Sequence, residues 1–108
     1  MGYEKLLIGE DTKVVEFEDG LKFVLKLPGW MELERIRDRA TTINTNNGQI
    51  SLDQAKMKME KLRACIKESP FPADKLEVCL AGLKPSIFNE LMRAISSMEM
   101  EIANDSKN

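Results

Sequence analysis

The sequence predicts an α+β protein, with an N-terminal β-hairpin followed by a bundle of about four α-helices. Residues 13–26 alternate apolar and polar side chains on both sides of Asp19-Gly20, which is typical of a hairpin. After Pro28 the apolar residues recur at helical spacing, and later prolines divide the helical region into segments.

The register of the hairpin is decided by which side chains a turn places opposite each other. A two-residue turn would put carboxylates opposite the hydrophobic residues of the other strand. A three-residue loop over residues 18–20 instead pairs Val15 with Phe23 and Glu16 with Lys22. The buried face is then predicted to carry Val15, Phe17, Leu21, Phe23 and Leu25.

Two helices are predicted in the middle of the chain. The first covers residues 30–43, and an asparagine-rich turn follows at residues 44–48. Ser51 and Gln54 form a capping box that opens the second helix, which continues to about Glu68. The predicted core positions are Leu33, Ile36, Ala40 and Ile43 in the first helix, and Leu52, Ala55, Met59, Leu62 and Ile66 in the second.

Two further helices are predicted in the last third of the chain. A pair of prolines breaks the second helix, and a short helix follows at residues 73–83. The last helix runs from Pro85 to about Ile102. Their predicted core positions are Leu76, Cys79, Leu80, Leu83, Phe88, Leu91, Ile95 and Met98. We expect one domain over residues 1–102 and a polar, flexible tail over residues 103–108.

The overall charge and hydropathy favour a protein partner over nucleic acid or a membrane. Sixteen Lys and Arg face eighteen Asp and Glu, so the net charge is −2 and no excess of positive charge is available for a phosphate backbone. No stretch approaches the roughly 18 apolar residues of a transmembrane helix. The N-terminus also lacks the apolar run of a signal peptide, so we expect a cytoplasmic protein.

No catalytic, cofactor-binding or metal site is predicted. The chain has no histidine, which excludes Ser-His-Asp sites and histidine-bearing zinc sites. Its glycines are scattered singly and form no phosphate-binding loop. Cys65 and Cys79 are too far apart for a CxxC motif and are expected to be buried thiols. We therefore expect no cofactor and no enzymatic activity.

Five apolar side chains are left over from the predicted core. Val14 and Val24 pair on the outer face of the hairpin, and Trp30 lies at the edge of its helix. The chain has seven methionines, and at 100° per residue Met57 and Met100 point away from the core stripes. Because flexible thioethers suit adaptable binding surfaces, we predict that these five residues contribute to protein interaction.

The order of four sequence blocks resembles the tail assembly chaperones of long-tailed bacteriophages and prophage elements, in particular the Gram-positive prophage type. The blocks are the hairpin end FVLKLPGW (residues 23–30), the charged helix ELERIR (32–37), the helix opening GQISLD (48–53) and the segment LKPSIFNEL (83–91).

This resemblance implies a function without catalysis. Members of the family bind the long tape-measure protein and keep it soluble before tail-tube subunits assemble around it. The resemblance therefore implies the tape-measure protein as partner, with the tail-tube protein as a further one, in the cytoplasm of the host cell. It also implies a homo-oligomer, since many copies are needed to cover a long client.

A different class of function stays open on the sequence alone. A small adaptor or inhibitor that docks onto one folded host or phage partner would show the same lack of reactive groups. The two hypotheses differ in stoichiometry, because an adaptor forms a defined one-to-one complex.

Overall fold

The computed structural model describes residues 2–9 and 11–105, and confirms the α+β class. The described residues form five β-strands and four α-helices, with short 3₁₀ turns at Tyr3–Leu6, Glu18–Gly20 and Ala73–Lys75. The strands are β1 (Lys13–Glu16), β2 (Lys22–Leu25), β3 (Thr41–Ile43), β4 (Ile50–Leu52) and β5 (Ile66–Glu68). The helices are α1 (Trp30–Ala40), α2 (Gln54–Cys65), α3 (Leu76–Ala81) and α4 (Pro85–Asp105).

The N-terminal hairpin has the predicted register. Val15 lies opposite Phe23 and Glu16 opposite Lys22. Asp19 and Gly20 both have positive φ, 63° and 73°, and the Leu21 amide closes the loop by donating to the Glu18 carbonyl at 3.3 Å. The prediction that Leu21 is buried is wrong: its side chain is exposed, since it lies in the turn beyond the last paired residues.

A second hairpin interrupts the region predicted as one helix over residues 30–43. α1 ends at Ala40, and β3 pairs antiparallel with β4, with Ile43 directly opposite Ile50. The predicted turn between them is present, and Gly48 there has a φ of 70°. Ile43 continues the apolar spacing of α1, but its β-branched neighbours Thr41 and Thr42 favour a strand once a partner strand is available.

The second helix is shorter than predicted at both ends. The Asp53 side chain caps it by accepting a hydrogen bond from the Lys56 amide at 3.0 Å, whereas Ser51 belongs to β4. The helix ends at Cys65, whose carbonyl accepts a hydrogen bond from the Lys26 amide at 2.7 Å. β5 then pairs with β2, so the main sheet has the order β1-β2-β5.

Four positions that the sequence assigned to the helix core are exposed: Leu33, Ile43, Leu52 and Ala55. Leu52 and Ala55 precede or begin the shortened helix, and Leu33 and Ile43 lie on the exposed side of α1 and in β3. The third helix is also shorter than predicted, because residues 73–75 form a 3₁₀ turn.

The main core lies between the inner face of the sheet and the helices α2, α3 and α4. It is formed by Val15, Phe23, Leu25, Leu27, Leu62, Cys65, Leu80, Leu91, Ala94, Ile95 and Met98. Ile36 and Ala40 of α1 are also buried but do not belong to this cluster. α1, the β3–β4 ribbon and the first half of α2 thus form an arm with its own small buried contact.

The last helix, α4, packs in the main core and continues beyond it toward the C-terminus. The Lys13 ammonium donates to Ser97 Oγ at 3.3 Å, which ties α4 to the start of β1. α4 continues to Asp105, so the polar tail expected from residue 103 is helical in its first part. Residues 106–108 of that tail lie outside the described residues.

Candidate protein-interaction surface

The predicted valine pair lies on the outer face of the main sheet. Val14 and Val24 face each other across β1 and β2. Val14 is exposed, whereas Val24 is half-buried because β2 is the central strand and Glu68 of β5 lies on its other side. The same outer face carries the Glu16–Lys22 pair, so the apolar area here is small.

Trp30 is one of five exposed apolar side chains in the N-terminal segment and the first turn of α1, which we call the N-terminal patch: Leu6, Leu7, Ile8, Trp30 and Met31. Trp30 is the first residue of α1, and 71% of its surface is exposed. Ile8 lies beside Gly29, where a Cβ atom would be 3.8 Å from its side chain, so the N-terminal segment runs along the start of α1. All five members of the patch are exposed.

The two predicted methionines differ from each other in their surroundings. Met100 on α4 is 67% exposed, as predicted. Met57 is half-buried, because it lies on the side of α2 that also carries Glu60, whose carboxylate pairs with Arg39 of α1. Both methionines lie within one helical turn of the ion pair between Lys61 and Glu99, which joins α2 to α4 at 3.1 Å. Helical periodicity missed the second packed side of α2, since it takes account of only one buried stripe.

An open groove of about 860 Å³ separates the N-terminal segment and the end of β2 from the two helices of the arm. Its charged lining residues are Lys26, Glu32, Arg39, Glu60, Arg63 and Lys67. Arg39 Nε donates to Glu60 Oε1 at 2.7 Å, and its Nη2 lies 3.7 Å from Glu32. The second oxygen of Glu60, Oε2, is buried and has no hydrogen-bond partner among the described residues.

Two groups have a perturbed pKa among the described residues. The hydrogen bond that Arg39 donates to the Glu60 carboxylate raises the pKa of Arg39, so this guanidinium stays charged at every accessible pH. Burial raises the pKa of Cys65 to about 11, and neighbouring charges from Lys61, Glu99 and Lys26 have smaller effects. At neutral pH the Cys65 thiol is protonated and is not a nucleophile.

The β3–β4 ribbon is an exposed apolar feature that the sequence interpretation did not include. Ile43 and Ile50 are 62% and 71% exposed, although they face each other across the two strands. One sequence signal was present: no charged residue occurs between Arg39 and Asp53 in a chain with 31% charged residues. Such a stretch is unusual for a solvated helix face.

The described residues contain no cluster of His, Cys, Asp or Glu able to hold a metal ion. No helix within the described ranges is long and apolar enough to cross a bilayer. The chain matches no protein-family model, no curated protein and no solved structure.

Proposed function

We propose that the chain is a non-catalytic tail assembly chaperone of the phage and prophage type, which binds a tape-measure protein and keeps it soluble before the tail tube assembles. The order of the four sequence blocks suggests the client. One structural observation carries the rest of the proposal: the folded chain exposes much more surface than a compact monomer does.

The size of this excess is obtained by comparing the exposed surface with the surface expected for the mass of the chain. A compact monomer of 12.3 kDa exposes about 6,100 Å². This chain exposes 8301 Å², which is roughly a third more. The additional area, on the order of 2,000 Å², is comparable to what one subunit buries in an obligate interface. A protein that covers a client when it functions exposes such additional surface in its free form.

The chemistry of the exposed side chains suits a helical client. The N-terminal patch combines leucine, isoleucine, methionine and tryptophan, which fit the apolar stripe of an amphipathic helix. Trp30 supplies a rigid aromatic anchor, and Met31 supplies a flexible thioether that adapts to different side chains along a long client. A long client requires such tolerance because successive copies of the chain meet different sequences along it.

The N-terminal patch is tested by a Trp30→Glu/Met31→Glu double variant co-expressed with a tape-measure protein. Both residues lie in the first turn of α1, where carboxylates favour the helix dipole, so the fold is expected to be retained. The soluble fraction of the client is the measurement. We expect the wild-type chain to keep the client soluble and the double variant to lose most of this protection.

Val78→Glu is the matched control, since Val78 is 77% exposed and lies in the first turn of α3, away from the patch. It should protect the client as well as the wild type does. Equal protection by the double variant would remove the patch from the proposal. A wild-type chain that neither binds nor protects the client would contradict the proposed function itself.

A further inference from the structure

The β3–β4 ribbon has an apolar face that the described part of the chain leaves largely exposed, above all at Ile43 and Ile50. Alternation along the strands places Thr41, Ile43, Ile50 and Leu52 on one face and Thr42 with Ser51 on the other. Every residue from 42 to 56 is exposed. Beyond its own two strands, the ribbon packs mainly against the end of α1.

A ribbon of this kind is incomplete on its own. An isolated two-stranded hairpin is marginally stable in water, and three or more strands or a packed face are needed to support it. The ribbon also lacks the lysines, prolines and inward-pointing charges with which proteins protect free strand edges. Both features are expected of a surface that is covered in the assembled state.

We propose that the apolar face of the β3–β4 ribbon is a self-association surface, on which the same face of a second copy packs about a two-fold axis. In such an isologous contact Ile43 and Ile50 of one copy pack against Ile43 and Ile50 of the other. The two ribbons become a small two-layer sandwich, and each supplies the packed face that the other lacks.

Charge favours a second copy as the partner. Charged residues make up 31% of the chain, so a two-fold axis through most of its surface places a charged side chain against its own copy. The stretch between Arg39 and Asp53 is the exception, because it has no charge that repels itself across a two-fold axis.

The test is sedimentation equilibrium of the purified chain over a range of concentrations, without any client. We expect the wild type to dimerise reversibly and an Ile43→Thr/Ile50→Thr variant to dimerise at least tenfold more weakly. Threonine keeps the β-branched shape that favours a strand, so circular dichroism should show an unchanged fold. Val78→Thr is the matched control, since it also replaces an exposed β-branched apolar residue, and it should dimerise like the wild type.

A cross-link then tests the two-fold arrangement. In a Cys79→Ser background, Ile50→Cys should form a disulfide-linked dimer on oxidation with copper-phenanthroline, while Cys65 stays buried and reduced. Val78→Cys should give no such dimer. A monomeric wild type, or a threonine variant that dimerises fully, would overturn the proposal. A dimer without the Ile50→Cys cross-link would overturn the two-fold contact. Because no client is present, these outcomes are independent of the proposed chaperone function.

Discussion

Four side chains with no solvent exposure join the sheet to the helices: Leu25, Leu62, Cys65 and Leu91. Leu25 comes from the central strand, Leu62 and Cys65 from α2, and Leu91 from α4. Full burial of one leucine stabilises a fold by roughly 1.5–3 kcal/mol. These four residues therefore contribute much of the stability of the main core. The arm depends on Ile36 and Ala40 instead, which lie outside this cluster.

The raised pKa of Cys65 predicts a loss of stability at alkaline pH. Burial raises it from 9.0 to about 11, so the folded state holds the thiol proton after the unfolded state has released it. The resulting stabilisation of the protonated fold is fully present below pH 9 and is lost as the pH rises to 11. From the free-energy equivalent of a pKa shift, the resulting loss in the free energy of unfolding is at most about 3 kcal/mol.

Urea unfolding of the wild type and Cys65→Ala, in the presence of a reducing agent, isolates this effect. Other groups titrate in both proteins, so the difference between them reports Cys65 alone. We expect the stability advantage of the wild type to shrink between pH 9 and pH 11. A difference that stays constant over this range would show that Cys65 has an ordinary pKa in the fold.

The five residues predicted to contribute to protein interaction show how far a single residue can be interpreted from sequence. The exposure of Val14, Trp30 and Met100 followed from alternation and helical spacing. The partial burial of Met57 did not, because α1 packs on the side of α2 opposite to the predicted stripe. Only the three-dimensional placement of α1 determines that side.

At the scale of elements, the long helices and the N-terminal hairpin were predictable and the three short strands were not. The hairpin register followed from the cost of placing carboxylates opposite hydrophobic residues. The strands β3, β4 and β5 have three residues each, too few for a period of two to be distinguished from the end of a helix. Each of these short segments becomes a strand because another strand pairs with it. The pattern of three residues does not show which strand that is.

The turn of the N-terminal hairpin requires a positive φ at Gly20, and a substitution tests this requirement. Gly20 has a φ of 73°, a region that residues with a side chain adopt at a cost, so Gly20→Ala should destabilise the fold by about 1 kcal/mol. Thermal or urea unfolding measures the change.

Gly82→Ala is the matched control for this turn. Gly82 has a φ of −94°, and a Cβ there would meet its nearest neighbour, the Val78 carbonyl, at an ordinary contact distance of 3.6 Å. This variant should be neutral or slightly more stable than the wild type. If both alanine variants lost the same stability, the positive φ of Gly20 would not be the cause.

At the scale of the whole molecule, the chain is flat and extended for its length. Its principal dimensions are 48 × 41 × 23 Å, and its radius of gyration is 16.0 Å, compared with about 13 Å for a compact domain of this size. The separation of the arm from the main core explains this shape. A thin body with apolar side chains at the N-terminal patch, on the ribbon and at the end of α4 offers several contacts at once.

The mass of the complex that the chain forms with a tape-measure protein tests the proposed chaperone function most directly. One 12.3 kDa domain covers only a small part of an extended helical client. Light scattering of the co-purified complex should therefore give more than one copy of the chain per client, with the number increasing with client length. A one-to-one complex with a folded partner, or no complex with the tape-measure protein, would contradict the chaperone function.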